Sequence, residues 1–246
     1  MTPTPRLLAD SPTGLDRHQS VLVLDFGSQF TQLIARRLRE SGVFCEIHPP
    51  TVSAEDIESR RPIGLILSGG PQSVYDSDAT LFDPRLFHLG IPILGICYGM
   101  QLIARELGGR VEGAARREYG RAEIDVSVDS PLFQGLAERQ VVWMSHGDSV
   151  QRVPDGFSTC ASTENSSTVA FEDLDRGIFG IQFHPEVSHT TEGTSILNNF
   201  LFRICEASGD WSMTSYLDEA VMALQRVSAG RQVLCALSGG VDSSVV

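Results

Sequence analysis

The chain has 246 residues, of which 41% are hydrophobic and 20% are charged, and its formal net charge is −12. This length accommodates one large domain, or one domain and the start of another. The acidic balance and the lack of a basic run argue against a nucleic-acid or membrane-surface role, and no apolar run reaches membrane length. The five cysteines are scattered without a C-x-x-C pair. Neither a disulfide framework nor a zinc site is therefore indicated, and a reducing cytoplasm is expected.

Residues 1–19 lack the apolar core of a signal peptide and are predicted to form a flexible extension. The next part of the chain alternates apolar strands with amphipathic helices. The strands are predicted at 21–25, 43–48 and 63–71, the last running into a glycine pair, and the helices at 29–40 and near 53–60. Ser28 is a candidate N-cap of the first helix, and Gly42 is placed to end it. This alternation predicts an α/β fold with a doubly wound, mostly parallel sheet, whose sites lie at the carboxyl ends of the strands.

A cysteine between two glycines follows the next strand. Residues 92–96 predict a buried strand, and 100–107 carry apolar residues at helical spacing. Cys97, with glycines at i−2 and i+2, is the cysteine version of the G-x-S-x-G turn, which holds a nucleophile at the tip of a sheet. The N-terminus of the following helix favours a thiolate there. A buried structural cysteine is the alternative, and the glycine spacing and the strand–helix context favour the nucleophile.

The second half of the chain is richer in strands. They are predicted at 120–128, 141–145 and 177–184, and we expect an antiparallel portion that flanks the parallel sheet. A helix is predicted at 192–205, and 207–210 mark a domain boundary. A helix at 213–227 and a strand at 232–237 follow. The predicted domains are therefore residues 20–207 and residues 208–246, the latter the first strand and loop of a second α/β domain.

His184 and Glu186 flank a proline directly after a predicted strand. In an extended segment, residues i and i+2 face the same way, so both side chains can address one pocket. The carboxylate would hydrogen-bond one ring nitrogen, and the other nitrogen would face a thiol, as in nucleophile–base–orienter catalysis. A surface turn is the alternative for this tripeptide alone.

The glycine pair after the third strand, in Ser68–Pro71, offers an oxyanion donor. A glycine turn at a strand end lets a backbone N–H point at a developing oxyanion. The second donor would be the N–H of Tyr98, the residue after the nucleophile. By itself this segment predicts only a turn.

These motifs, in this order, resemble the triad-type glutamine amidotransferases from about Val21 to Cys205. In that family a cysteine attacks the side-chain amide of glutamine, releases ammonia and forms a thioester that water hydrolyses. The resemblance implies that Cys97 is the nucleophile, His184 the general acid/base and Glu186 its orienter. It further implies two sets of residues, the oxyanion donors Gly70 and Tyr98, and the glutamine-binding residues Gly69, Gln101, Ser145 and His146.

The end of the sequence contains a candidate phosphate loop, made of Ser238, Gly239, Gly240, Val241, Asp242, Ser243 and Ser244. The loop follows a predicted strand and would open a helix, so its N–H groups and serines could hold phosphates. It lacks the lysine of the G-x-x-x-x-G-K-[ST] loop. It resembles the pyrophosphate loop of enzymes that cleave ATP between the α and β phosphates. A simple Ser/Gly turn is the alternative.

With this loop, five runs of the chain resemble the glutamine-hydrolysing GMP synthases: DFGSQ (25–29), LSGGPQSVYD (67–76), GICYGMQ (95–101), WMSHGD (143–148) and FHPEVSHT (183–190). The resemblance implies a full-length homodimer that aminates xanthosine monophosphate (XMP) to GMP with L-glutamine, ATP and Mg²⁺. The glutaminase half would need no cofactor or metal. Because the sequence stops just after Ser244, we expect this chain to carry the ammonia-producing half only and to make no GMP.

Two other functions remain open from the sequence. Another triad-type amidotransferase subunit, such as an anthranilate- or carbamoyl-phosphate-type one, would not need the loop at 238–244. A catalytically silent glutamine-binding or docking module is possible because fold does not determine function. A catalytically silent module is disfavoured because Cys97, His184 and Glu186 are all intact. Residues 208–246 are expected to be partly disordered, since the strand at 232–237 would have no sheet to join.

Overall fold

The computed structural model describes residues 18–75, 82–230 and 232. Residues 19–212 form one compact unit. Helix α5 (Met213–Ser228) belongs to a second unit. It agrees with the helix predicted at 213–227, and its described apolar side chains include the exposed Leu217 and Leu224.

The larger unit follows the predicted order of strands and helices. Its strands are β1 (Ser20–Leu24), β2 (Phe44–His48), β3 (Gly64–Leu67), β4 (Ile93–Ile96), β5 (Arg110–Val126), β6 (Arg139–Arg152), β7 (Ser158–Ser162), β8 (Ala170–Asp173) and β9 (Ile178–Ile181). Its helices are α1 (Thr31–Glu40), α2 (Ala54–Arg60), α3 (Tyr98–Glu106) and α4 (Gly193–Asn198), with a 3₁₀ helix at Pro84–His88 and a π-helical segment at Asn199–Ile204.

Within the described residues, nine strands form one mixed sheet in the order β2-β1-β3-β4-β9-β8-β7-β5-β6. Strands β2, β1, β3, β4 and β9 run parallel. From β9 outward, β8, β7, β5 and β6 pair antiparallel. The predicted fold, a parallel sheet with a flanking antiparallel portion, is therefore confirmed.

Helices cover both faces of the parallel half, as a doubly wound sheet requires. Side chains alternate along β1, so that Val21 and Val23 pack in one cluster with Ile34 and Leu38 of α1 and with Ile196 and Leu197 of α4. The intervening residues Leu22 and Leu24 pack in a second cluster with α2 and α3. All four strand residues are fully buried, which explains why the strands carry uninterrupted apolar runs instead of alternating ones.

The structure corrects several predicted boundaries. Helix α1 begins at Thr31, with Phe30 at the N-cap position, so Ser28 is not the N-cap. The hydroxyl of Ser28 instead accepts from the Phe30 N–H (3.0 Å) in a turn before the helix. Helix α3 begins at Tyr98, two residues earlier than predicted. The predicted helix at 192–205 is α4 followed by a π-helical segment.

Two strands of the antiparallel half, β7 and β8, were not predicted. The sequence AFED in β8 ends in two acidic residues, which is unusual for a buried strand. Both are nonetheless buried, because each has a specific partner. Ser130 donates to the Glu172 carboxylate (2.5 Å), and Arg176 pairs with Asp173 (2.6 Å). Ser130 lies 42 residues before Glu172, whereas Arg176 lies in the turn directly after the strand.

Some predictions fall outside the described residues. These are the flexible extension up to residue 17, the strand at 233–237 and the phosphate loop at 238–244. The division into domains at 207–208 stays a prediction. No helix in the part of the chain that the structure describes is long and apolar enough to cross a bilayer.

Candidate active site

Three neighbouring parallel strands bring the predicted motifs together. Strand β4 pairs with β3 on one side and with β9 on the other. The carboxyl ends of these strands meet at one edge of the sheet, where β3 leads to Gly69, β4 to Cys97 and β9 to His184. The motifs are far apart in the sequence, and the strand order alone makes them neighbours.

Cys97 occupies a strained turn between β4 and α3. Its φ is +53° and its ψ is −104°. Residues other than glycine rarely adopt this backbone conformation, which costs about 1–3 kcal/mol of folding free energy. The Cys97 N–H donates to the Ile181 carbonyl (2.8 Å), which anchors the turn to β9. The side chain is buried, and α3 begins at the next residue. This geometry presents the side chain at the N-terminus of a helix, the positive end of its dipole.

The glycines on either side of Cys97 allow α3 to lie against the sheet. A Cβ atom on Gly95 would lie 2.6 Å from the backbone of Gly99, and one on Gly99 would lie 2.4 Å from the Leu67 carbonyl oxygen. No side chain fits at either distance. The G-x-C-x-G spacing is therefore a packing requirement of the turn.

We expect Gly99→Ala to destabilise this unit by about 1–3 kcal/mol or more, because the new methyl group would force α3 away from β3. Urea unfolding would measure the change. Gly113→Ala in β5 is a matched control, since its Cβ would meet nothing within 4 Å, and we expect it to change stability by less than about 1 kcal/mol. Equal stability of Gly99→Ala and the parent would contradict the packing argument.

His184 and Glu186 form a buried pair beside the cysteine. The ring Nδ1 lies 2.8 Å from Glu186 Oε1, and the two residues are 4% and 1% exposed. An ionised carboxylate can only accept, so Nδ1–H donates and the other ring nitrogen is left for Cys97. Among the described residues nothing hydrogen-bonds to Glu186 Oε2, so His184 is the group that balances the carboxylate charge.

The surroundings of His184 favour its charged form. Burial alone would lower the pKa of His184, but hydrogen bonds with Cys97 and Glu186, and the negative charges of these groups, raise it to about 10. The ring therefore keeps its proton at neutral pH.

This shift predicts the alkaline limit of any reaction in which His184 donates a proton. The pKa of His184 is raised from 6.5 to about 10, so the donor is present below pH 10 and is lost as the pH rises through that value. For glutamine hydrolysis we expect kcat/KM, which reports the free enzyme, to fall on the alkaline side near pH 10. A pH–rate profile would test this, and an alkaline fall centred near 6.5 would contradict it.

The segment that carries His184 is fastened to neighbouring elements on both sides. The His184 N–H donates to the Trp143 carbonyl of β6 (3.0 Å). The buried Thr190 hydroxyl donates to the His184 carbonyl (2.6 Å) and accepts from the Trp143 N–H (3.0 Å). From α1, Arg37 Nε donates to the Glu186 carbonyl (3.1 Å). These contacts preorganise the pair before any substrate arrives.

The two glycines that follow β3, Gly69 and Gly70, lie beside the His184–Glu186 pair. A Cβ atom on Gly69 would lie 3.2 Å from His184 Cε1 and 3.7 Å from Cys97 Cβ. The buried Ser68 hydroxyl donates to the Gly69 carbonyl (2.9 Å) and accepts from the Phe26 N–H (3.0 Å). Because C=O and N–H point in opposite directions across a trans peptide, this hydrogen bond also sets the direction of the Gly70 N–H.

The class-I glutamine amidotransferase family matches residues 22–204, most of the chain. The chain belongs to this family. It is 53% identical over 227 residues to the glutamine-hydrolysing GMP synthase of Geobacillus kaustophilus, covering 92% of this chain and 44% of that protein. It is 51% identical to that of Bacillus subtilis, covering 93% of this chain and 45% of that protein. The chain thus spans less than half the length of these relatives.

Solved structures show the same amidotransferase architecture. A putative GMP synthase subunit from Thermoplasma acidophilum is 32% identical, with a TM-score of 0.68, and the match covers 77% of this chain and 94% of that one. A glutamine amidotransferase from Thermotoga maritima is 20% identical, with a TM-score of 0.57, over 86% of this chain and 99% of that one. At this identity the second match supports the fold alone.

The residues predicted to bind glutamine lie near Cys97, and several of their polar groups already have partners. Gln101 Nε2 donates to the Asp148 carbonyl (3.0 Å) and to Gln182 Oε1 (3.2 Å). The Ser145 carbonyl oxygen lies 3.6 Å from Cys97 Sγ. His146 is buried, with Nδ1 2.9 Å from the Asp148 carbonyl and Nε2 3.1 Å from Glu118 Oε2. Its ring thus joins β5 to β6, and both of its nitrogens already have a partner.

Gln182 was not predicted as a site residue. It is 1% exposed, and its Nε2 lies 3.6 Å from Cys97 Sγ. The alternation that placed His184 and Glu186 on one side of the segment also includes Gln182, two residues before His184. In the part of the chain that the structure describes, no cluster of three or more His, Cys, Asp or Glu residues could hold a metal.

Proposed function

We propose that this chain hydrolyses L-glutamine to glutamate and ammonia, with Cys97, His184 and Glu186 as the catalytic triad. The observation that carries this proposal is the strained turn at Cys97, which lies beside the same glycine as the His184 ring that the buried Glu186 orients. A strained turn and a buried ion pair both cost folding free energy, and a nucleophilic function accounts for both.

In the first half of the reaction, the Cys97 thiolate attacks the side-chain amide carbon of glutamine. The amide oxygen becomes an oxyanion, which accepts hydrogen bonds from the Gly70 and Tyr98 N–H groups. His184 gives its proton to the amide nitrogen, the C–N bond breaks, and ammonia leaves. Cys97 is then joined to the glutamyl group as a thioester, and His184 is neutral.

In the second half, neutral His184 accepts a proton from water, and the resulting hydroxide adds to the thioester carbon. The same N–H groups stabilise the second oxyanion. The C–S bond then breaks, glutamate leaves, and Cys97 returns as a thiolate beside a protonated His184. Glu186 keeps the ring in one orientation throughout and offsets its positive charge.

We further propose that the ammonia serves the amination of XMP to GMP, in a full-length cytoplasmic enzyme that uses ATP and Mg²⁺. The support is the 51–53% identity to proteins named glutamine-hydrolysing GMP synthases, together with the loop at 238–244. Both the nucleotide chemistry and a homodimeric assembly would belong to the longer protein. The glutaminase half itself needs no cofactor in this mechanism.

Release of glutamate from L-glutamine by the parent chain and by Cys97→Ala tests the proposal. We expect turnover in the parent and none in Cys97→Ala, whereas Cys160→Ala, which removes another buried thiol, should keep it. Equal turnover in the parent and Cys97→Ala would refute the proposal. If the parent is inactive but a glutamine-like electrophile labels Cys97, the site is intact and needs the rest of the longer enzyme for its activity.

A further inference from the structure

Gln182 lies next to the Cys97 sulfur but has no role in the proposed mechanism. It follows β9 directly, and its side chain is almost completely buried. Its amide Nε2 lies 3.6 Å from Cys97 Sγ, and its amide oxygen accepts from Gln101. A buried amide in this position has a definite orientation, because each of its polar groups needs a partner.

The neighbouring hydrogen bonds determine which end of the amide faces the sulfur. The Asp148 carbonyl can only accept, so the group of Gln101 that meets it (3.0 Å) is its NH₂. The second hydrogen of that NH₂ points to Gln182, 3.2 Å away, which must therefore present its oxygen. The NH₂ of Gln182 is then left to face Cys97.

We propose that Gln182 is a further catalytic residue, which donates an N–H hydrogen bond to the Cys97 sulfur and stabilises its negative charge. The inference rests on the glutaminase function proposed above. Gln101 acts through Gln182 as a positioning residue, since its NH₂ group holds the amide in the donating orientation. The Ser145 carbonyl, which also lies 3.6 Å from the sulfur, is an acceptor and cannot stabilise a thiolate.

The hydrogen bond matters most at two points of the reaction. Before attack, it favours thiolate over thiol, because a hydrogen bond to the charged form of a group stabilises that form. In the thioester the sulfur is neutral and the interaction is weaker. When the C–S bond breaks, the charge returns to sulfur and the N–H of Gln182 stabilises the leaving thiolate. Gln182 thus assists departure of the thiolate, while His184 assists departure of ammonia.

The test is the rate of alkylation of Cys97 by iodoacetamide from pH 5 to pH 10, read on the Cys97 peptide by mass spectrometry. Gln182→Leu keeps approximate size and removes the donor. We expect the midpoint of the profile to lie about one pH unit higher, so that alkylation on the acid side of the midpoint is about tenfold slower. Gln182→Glu keeps the shape and the acceptor for Gln101 but places a carboxylate beside the sulfur. We expect a larger decrease for this variant.

Gln140→Leu is the matched control, since Gln140 is also buried and its amide donates to the Ala137 carbonyl (2.7 Å) instead of the site. We expect its alkylation profile to equal that of the parent. In glutamine hydrolysis, both Gln182 variants should lower kcat about tenfold or more with KM little changed.

The alkylation profile separates this inference from the proposed function. If the parent proves inactive on glutamine, a shifted profile in the Gln182 variants still supports the hydrogen bond to sulfur. If the parent is active and a folded Gln182→Leu or Gln182→Glu protein alkylates like the parent, the inference is wrong. Because Gln182→Glu retains the hydrogen bond from Gln101, parent-like alkylation of this variant would still refute the inference if Gln182→Leu does not fold.

Discussion

Replacing His184 by glutamine is expected to lower kcat for glutamine hydrolysis by about four orders of magnitude, near the upper end of the effect of a general acid–base. The variant loses the proton donor for the leaving ammonia and the group that accepts a proton from water. It also loses the positive charge that favours the Cys97 thiolate, so alkylation of Cys97 at neutral pH should slow in parallel. The amount of glutamate formed in a stopped assay tests the loss of activity, and the alkylation rate tests the loss of the positive charge beside Cys97.

His184→Gln also changes stability, and a second variant separates this from catalysis. The single substitution leaves Glu186, which is 1% exposed, without its cationic partner, at a cost of about 3–5 kcal/mol. Adding Glu186→Gln removes the buried charge, so the double variant should recover most of the stability and none of the activity. Activity within tenfold of the parent in either variant would contradict the assigned role of His184.

Gly70→Ala is the second substitution with a large expected effect, a decrease in kcat of about 10²–10³ fold, comparable to the loss of an oxyanion donor. A Cβ atom on Gly70 would lie 2.8 Å from the Phe26 carbonyl oxygen and 3.3 Å from Tyr98 Cγ. The peptide that carries the Gly70 N–H must therefore move. Ser68→Ala acts on the same peptide without adding an atom, because it removes the hydroxyl that holds the Gly69 carbonyl.

Alkylation of Cys97 distinguishes this loss from a general disturbance of the site. The oxyanion donors act on the substrate oxygen and not on the sulfur, so Gly70→Ala and Ser68→Ala should alkylate like the parent while their kcat falls. Gly113→Ala, in open space, should keep both properties. If Gly70→Ala hydrolyses glutamine at the parent rate, the Gly70 N–H is not an oxyanion donor.

Much of the fold and part of the candidate site could be predicted from the sequence because the signals are local. Uninterrupted apolar runs such as 21–24 predict buried parallel strands, and helical spacing identifies the helices between them. The glycines beside Cys97 and the i, i+2 spacing of His184 and Glu186 depend only on neighbouring residues. Strand β8 was missed because its acidic residue Glu172 is buried by a contact with Ser130, which lies 42 residues earlier in the chain.

The sequence by itself therefore determined the α/β class, the turn that presents Cys97 and the pairing of His184 with Glu186. Only the tertiary structure decided that β9 lies beside β4, which brings His184 to the same edge of the sheet as Cys97. It alone oriented the Gly70 peptide through Ser68, and it alone turned the Gln182 amide toward the sulfur through Gln101. The physical reason is the range of the interactions. Local patterns encode backbone conformation and side-chain alternation, whereas strand order and buried hydrogen bonds join residues far apart in the chain and form only when the whole sheet assembles.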